Sequence, residues 1–183
     1  MTRRVWRWWG GAGAAALALA SAAVLSACGS KPDAACPRGV IPADAAKVTH
    51  FRDGPGHDLI DVVSEGEIQN ILVQCKYDKK VINVDLQVAI VASRGPADRT
   101  RVADFEYFVA IVDPQDKILA KQPFKVHFEF KDNRNHLGTV EQLVPKIPVE
   151  DVLKGPQYQI IVGFQLTPDE LAWNRSQRAK ALQ

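Results

Sequence analysis

The chain has 183 residues and a formal net charge of +2, from 23 Lys and Arg against 21 Asp and Glu. That length fits one domain of ordinary size behind a short leader. The near balance of charge, with no long block of one sign, gives no footing for nucleic-acid binding.

The first residues, Met-Thr-Arg-Arg-Val-Trp-Arg-Trp-Trp, carry Arg3, Arg4 and Arg7 and no acid. An Ala- and Leu-rich apolar run follows over residues 10–24. It is short for a bilayer span, which takes roughly 20 apolar residues. A positive start, a short apolar run and small residues after it make a secretory signal. The run ends in Leu25-Ser26-Ala27-Cys28, which resembles the lipobox of bacterial lipoproteins. Small side chains suit a membrane-embedded peptidase, and the Cys28 thiol is the nucleophile that accepts diacylglycerol. Cleavage is expected between Ala27 and Cys28. More than one acyl chain anchors stably, at about 0.8 kcal/mol per buried CH₂, so Cys28 would hold the protein on a membrane without a spanning helix. Thr2-Arg3-Arg4 also resembles a twin-arginine export start, and the choice between that route and the general one stays open. Gly29 follows the Cys where some bacteria place an inner-membrane retention Asp. That tilts the anchor towards the outer membrane, facing the periplasm, with the inner membrane as the alternative.

Without residues 1–27 the chain loses three Arg, leaving 20 basic against 21 acidic residues. The one basic stretch is Arg175, Arg178 and Lys180. With Cys28 taken by lipid, Cys36 and Cys75 remain, and an even pair in an oxidising compartment is most simply a disulfide. A buried free thiol or a redox pair is the alternative, without the Cys-x-x-Cys spacing that redox work usually shows.

Residues 29–57 are dense in Gly and Pro, which punctuate rather than build elements. They read as a flexible leader, with a helical turn fitting at Asp44-Ala45-Ala46-Lys47. From about Leu59 the apolar period is two, the signature of strands. In residues 69–77 Ile71, Val73, Cys75 and Tyr77 share a face. In 84–93 it is Val84, Leu86, Val88, Ile90 and Ala92. In 103–111 it is Phe105, Tyr107, Val109 and Ile111, and in 124–131 Phe124, Val126, Phe128 and Phe130. Residues 157–166 give Tyr158, Ile160, Val162, Phe164 and Leu166. Weaker strands fall at 61–63 and 140–144. Turn residues separate them, including Asp113-Pro114-Gln115-Asp116 with Pro at the second turn position.

About seven antiparallel strands, each with one apolar face, bury that pattern best as two packed sheets. The expected fold is an all-β, immunoglobulin/fibronectin-III-like sandwich, with a partly open barrel as alternative. Thr167 then caps a short C-terminal helix, with Pro168 first and Glu170 completing a capping box. Its first turns should dock and its basic end fray. The expected organisation is signal peptide 1–27, lipid-anchored leader 28–57, sandwich 58–167 and C-terminal helix 168–183.

The lipobox, Cys36-Pro37-Arg38, Phe51-Arg52-Asp53-Gly54-Pro55-Gly56 and Gly163-Phe164-Gln165-Leu166-Thr167-Pro168 together resemble a family of uncharacterised alphaproteobacterial lipoproteins. The resemblance implies a location and no activity. The likeness to immunoglobulin and fibronectin modules concerns fold, and fold does not imply function.

Chemistry is sparse. His127 and Glu129 stand at i and i+2 on one strand face, but two groups are too few for zinc, and a solvated face explains them. His57-Asp58 reads as surface. Asp104 and Glu106 share a face, as acids on sheet exteriors commonly do. Ser64 and Ser93 have no histidine nearby in sequence, and no catalytic motif occurs. Trp173 and Arg175 are the candidate interaction residues, being types favoured as binding anchors, unless Trp173 simply packs on the sandwich. An exposed sheet edge could also accept a partner strand. The expected role is a non-enzymatic scaffold of the cell envelope, with the membrane and an envelope protein as partners and no cofactor or metal. The alternative is a periplasmic binder of a small molecule, glycan or lipid, which needs a pocket of about 300 Å³ with Tyr77, Tyr107 or Tyr158 pointing into it.

Overall fold

The longest unbroken alternation in the sequence forms the centre of the structure. In β4 (Val81–Arg94), Ile82, Val84, Leu86, Val88, Ile90 and Ala92 are all buried. They face the matching row of β5 (Val102–Val112), where Phe105, Tyr107, Val109 and Ile111 are buried in turn. The computed structural model describes residues 35–54 and 56–182.

Around this centre lie β1 (Arg38–Val40), β2 (Lys47–Phe51), β3 (Val62–Asp78), β6 (Ile118–Glu129), β7 (His136–Leu143), β8 (Lys146–Pro148), β9 (Gln159–Phe164) and one helix, α1 (Pro168–Ala181). One sheet runs β1-β9-β5-β6; the other runs β2-β3-β4-β7, with β8 continuing the β7 side of β4. The two close on each other as an all-β sandwich, and the His50 ring of one sheet meets the Phe105 ring of the other at 5.2 Å.

Nine strands stand among the described residues, against the seven expected, and one pairing is parallel: β1 beside β9. The direction follows from where the chain comes in. The disulfide Cys36–Cys75 fastens it to the end of β3, and the Tyr77 hydroxyl donates to the Ala35 carbonyl at 2.6 Å. From there it can only run the way β9 runs. Gly39 permits the close fit, since a Cβ there would sit 2.7 Å from Ile71 Cδ1.

The expected leader boundary therefore shifts. β1 and β2 lie within residues 28–57, yet both are strands of the sandwich. Their Gly and Pro residues end strands and shape turns without keeping the segment out of the fold. A 3-10 turn at Ala43–Ala45 stands where a helical turn was read. The cleavage site at Ala27 and Cys28 lies outside the described residues. No helix among the described residues is long and apolar enough to cross a membrane.

The largest departure from the expected strands is β3, 17 residues long. Its inner face is Val62, Ser64, Gly66 and Ile68, then Ile71, Val73, Cys75 and Tyr77. The register slips between Ile68 and Asn70, a β-bulge whose extra residue exchanges the two faces. Ser64 and Gly66 carry no apolar signal, so the first half reads only as a fragment. β6 and β7 also start earlier than the alternation suggested, at Ile118 and His136.

The crossover from β4 to β5 is held by one carboxylate. Asp98 has a side chain 1% exposed. It accepts from Arg94 Nε, from Thr100 N and Oγ1 at 2.8 and 3.0 Å, and from Arg101 N at 3.1 Å. Arg101 in turn donates to the carbonyls of Phe130 and Asp132, joining this crossover to the end of β6. Burial of Asp98 favours the neutral acid, but these donors outweigh it and hold the carboxyl below its usual range.

Two predictions follow from these fastenings. Replacing both Cys36 and Cys75 by Ser should cost about 3 kcal/mol, given the long loop the bridge closes, measured by urea unfolding under oxidising conditions. Asp98→Asn should cost about 2 kcal/mol at pH 7 through weakened charged hydrogen bonds. A carboxylate with a depressed folded pKa stabilises fully above its unfolded value of about 4. The gap between wild type and variant should hold from there upward and shrink as pH falls through the folded value; a gap that grows on acidification would contradict the assignment.

Candidate interaction surface

The C-terminal helix begins as its sequence implies. Glu170 N donates to Thr167 Oγ1 at 3.3 Å, and Thr167 N donates to Glu170 Oε2 at 2.7 Å. Trp173 lies against Phe51 with ring centroids 5.0 Å apart, and His57 closes the group at 4.8 Å from Phe51. Asn174 donates to the Asp44 and Lys47 carbonyls at 2.9 and 2.8 Å. The basic end is ordered, contrary to the expected fraying. Asp44 pairs with Arg175 at 3.2 Å and with Arg178 at 2.8 Å, and Arg178 lies in the last turn, where a helix C-terminus favours a cation. Trp173 and Arg175, the candidate anchors, thus both have partners within the chain.

The stretch from Phe51 onward is a built turn. Arg52 Nη2 meets Asp61 Oδ1 at 2.5 Å, and Asp58 N donates to Asp61 Oδ2 at 3.2 Å. Gly56 is required there, since a Cβ would fall 2.2 Å from Asp61 Oδ2. His57 is exposed, as read from sequence, and its ring also meets Phe51. The turn leaves Leu59 and Ile60 pointing outward, 82% and 68% exposed.

Register brings together polar residues far apart in sequence. Ser64 Oγ lies 3.4 Å from His50 Nδ1, and His50 Nε2 lies 3.5 Å from Glu170 Oε1. This Ser, His and Glu line resembles a catalytic relay in composition only. Ser64 is 2% exposed, so no substrate carbonyl can reach its hydroxyl, and Glu170 is engaged as the helix cap. The line ties β3, β2 and α1 together. On the opposite face of that sheet Ser93 Oγ meets His136 Nδ1 at 2.8 Å.

His127 faces a different partner from the Glu129 considered above. Its Nδ1 lies 2.7 Å from Asp104 Oδ1 across the β5 and β6 pairing, while Glu129 pairs with Lys131 at 3.7 Å. The first is a cross-strand pair and the second a local pair at the end of β6; both are exposed and worth little in stability. Among the described residues no three His, Cys, Asp or Glu converge as metal ligands do.

The tyrosines divide. Tyr77 is spent on Ala35, and burial raises its pKa. Tyr158, half-buried just before β9, lines an open hollow of about 530 Å³ with Lys80, Asp113 and Leu119. Tyr107 is fully buried and stacks on Phe124 at 5.5 Å, and its hydroxyl has no partner. Burial, with the Glu141 carboxylate nearby, pushes its pKa up to about 12.

Beside Phe124 the sandwich opens. Between β6 and the corner from β7 to β8 lies a cleft of about 250 Å³, walled by Val109, Ile111 and Phe124 on one side and Leu143, Val144 and Pro145 on the other. Val144 at its rim is 73% exposed, and Val140, on the outer face of β7, is 60% exposed. The strand edges here are unequal. β6 carries Lys121, Pro123 and Lys125, residues that guard edges against pairing. β7 has neither lysine nor proline along its eight residues. β1 spans three residues, and α1 packs on β2. Among the described residues, the edge without such guards, which sequence left unassigned, is therefore β7. Period-two patterning could not identify it, because an edge is defined by the neighbour it lacks.

No family model matches this chain, and no curated protein matches it.

Trp173→Ala should lower stability by about 2 kcal/mol, a half-buried aromatic truncation, and should raise hydrogen exchange in β2 and α1 while leaving β4 and β5 protected. Uniform loss of protection would mean that the helix is integral to the core instead of fastened to its side.

Proposed function

We propose that this chain is a lipid-anchored lipoprotein of the bacterial envelope, whose sandwich binds a protein partner without catalysing a reaction. The lipobox at Cys28 and the signal-like residues before it support the anchor. The observation that carries the binding role is the open seam: an unguarded strand, β7, beside an apolar cleft with the exposed Val144 at its rim, and Val140 exposed on the strand's other face. An extended segment of an envelope protein fits it best. Main-chain hydrogen bonds to β7 would supply affinity, and an apolar side chain in the cleft would supply selectivity.

A small ligand is the second reading, favoured by the unpartnered Tyr107 hydroxyl behind Phe124. The cleft, at about 250 Å³, is below the roughly 300 Å³ at which ligand pockets begin; the open hollow beside Tyr158, at about 530 Å³, exceeds that size, and Lys80, Asp113, Gln115, Glu150 and Lys154 make its lining more polar than such pockets usually are.

The test is a cross-linked pull-down of the lipidated protein from its own membranes, with Cys28→Ala and a Val140→Lys, Val144→Lys double variant as comparisons. Both valines are exposed, so the double variant should keep its unfolding midpoint. Loss of a stoichiometric envelope protein from both comparisons supports the reading. A partner retained by the double variant would rule out the seam. No protein with any form, together with thermal stabilisation by an envelope lipid or glycan, would favour the ligand reading.

A further inference from the structure

The point at which the chain reaches the sandwich restricts how an anchored domain can stand on its membrane. Ala35 is held by the Tyr77 hydroxyl, and Cys36 by Cys75, at the last residues of β3. That pole also gathers the turn after β3, the turn after β5 and the 3-10 segment Val152–Gln157. Tyr77 packs on Gly155, Val149 N donates to the Lys80 carbonyl at 2.8 Å, and Lys80, Asp113, Gln115, Glu150 and Lys154 surround one hollow. The turn of Leu59 and Ile60 precedes the opposite end of β3, and Arg101 joins Asp132 to that same distal pole.

Two lengths decide the matter. The 17 residues of β3 span about 50 Å at 3.2–3.4 Å per residue. From Cys28 to Ala35 there are seven Cα steps, and a fully extended chain covers at most about 25 Å in that distance. An anchor at Cys28 therefore cannot let the domain stand inverted, with the distal pole on the lipid and Ala35 about 50 Å above it, while the disulfide holds.

We propose that the domain meets the lipid surface with the pole of Cys75, Lys79, Lys80 and Leu153, and that the distal pole with Leu59 and Ile60 faces away from the membrane. This rests on the lipid anchor at Cys28. Leu153 is 70% exposed at the membrane-facing pole. The charges there are mixed, with Asp78, Asp113, Glu150 and Asp151 among the lysines, so the tether dictates the contact and salt should not abolish it. The disulfide acquires a second role beside stability: it keeps the tether short.

The experiment uses the full lipidated chain in phosphatidylethanolamine and phosphatidylglycerol vesicles, with the Cys28→Ala form in solution as reference. Lysines are modified with a membrane-impermeant acylating reagent and read by mass spectrometry. Lys79, Lys80 and Lys154 should lose reactivity several-fold on the vesicle, while Lys131 at the distal pole should not change. Inserting about twenty Gly and Ser residues between Asp33 and Ala34 frees the tether. It should restore the reactivity of the three lysines while the protein still floats with the vesicles. Equal protection of Lys131, or protection that survives the insertion, would overturn the proposal. The mass of the peptide bearing Cys28, read in the same samples, separates the two levels. An unlipidated Cys28 with no flotation defeats the anchor reading and the orientation with it, whereas a lipidated, floating protein with uniform lysine reactivity defeats the orientation alone.

Discussion

The structure depends on two facing rows of side chains. One is the even-numbered face of β4 from Ile82 to Ala92, and the other is the odd-numbered face of β5 from Phe105 to Ile111. Burying an aliphatic or aromatic side chain fully is worth about 1.5–3 kcal/mol, and no other pair of strands contributes as many buried residues. Each further strand finds its place by extending one row sideways. β9 adds Ile160, Val162 and Phe164, β6 adds Val126 and Phe128, and β3 adds Ile68. Where a strand outruns the opposing row, as β6 does near Ala120, the sandwich opens and the apolar seam appears.

The connections are fastened by acids paired with arginines: Asp61 with Arg52, Asp98 with Arg94, and Asp44 with Arg175 and Arg178. Each carboxylate also lies close to backbone groups or sits in a turn that would otherwise leave polar atoms unsatisfied. Buried acids of this kind serve geometry, since removing one partner strands the other charge. They also explain why a chain with 24% charged residues offers few polar groups free for chemistry. The serine and histidine pairs follow the same rule, with Ser64 sealed beneath the contact that ties α1 to the sheet.

Anchor, tether and seam fit one physical picture. If Cys28 carries the proposed anchor, a short, disulfide-fixed leader would keep the Cys75 pole near the lipid, and in a standing domain β7 would run along its side, reachable by a neighbour in the same layer. The distal turn of Leu59 and Ile60 would be the part presented farthest from the lipid. A sandwich suits this arrangement because its strands span the height of the domain and resist bending, so a contact at one pole sets the position of the other.

The sequence by itself determined what local chemistry controls. The apolar alternation of β4, β5 and β9 reads directly as buried faces, and the capping box of Thr167 and Glu170 lies within four residues. A disulfide between Cys36 and Cys75 was the simplest use of the pair left once Cys28 was read as a lipid site, and the structure forms it. Other features were settled only by register between distant strands. The bulge at Gln69 reverses the faces of β3, and nothing in its composition marks the reversal. The folding of residues 38–51 into both sheets was hidden because their Gly and Pro read as leader. The contacts of His127 with Asp104 and of His50 with Ser64 and Glu170, like the free edge of β7, belong to no single segment. They exist because burying the two central rows leaves each remaining strand one position in which its own apolar face is also covered.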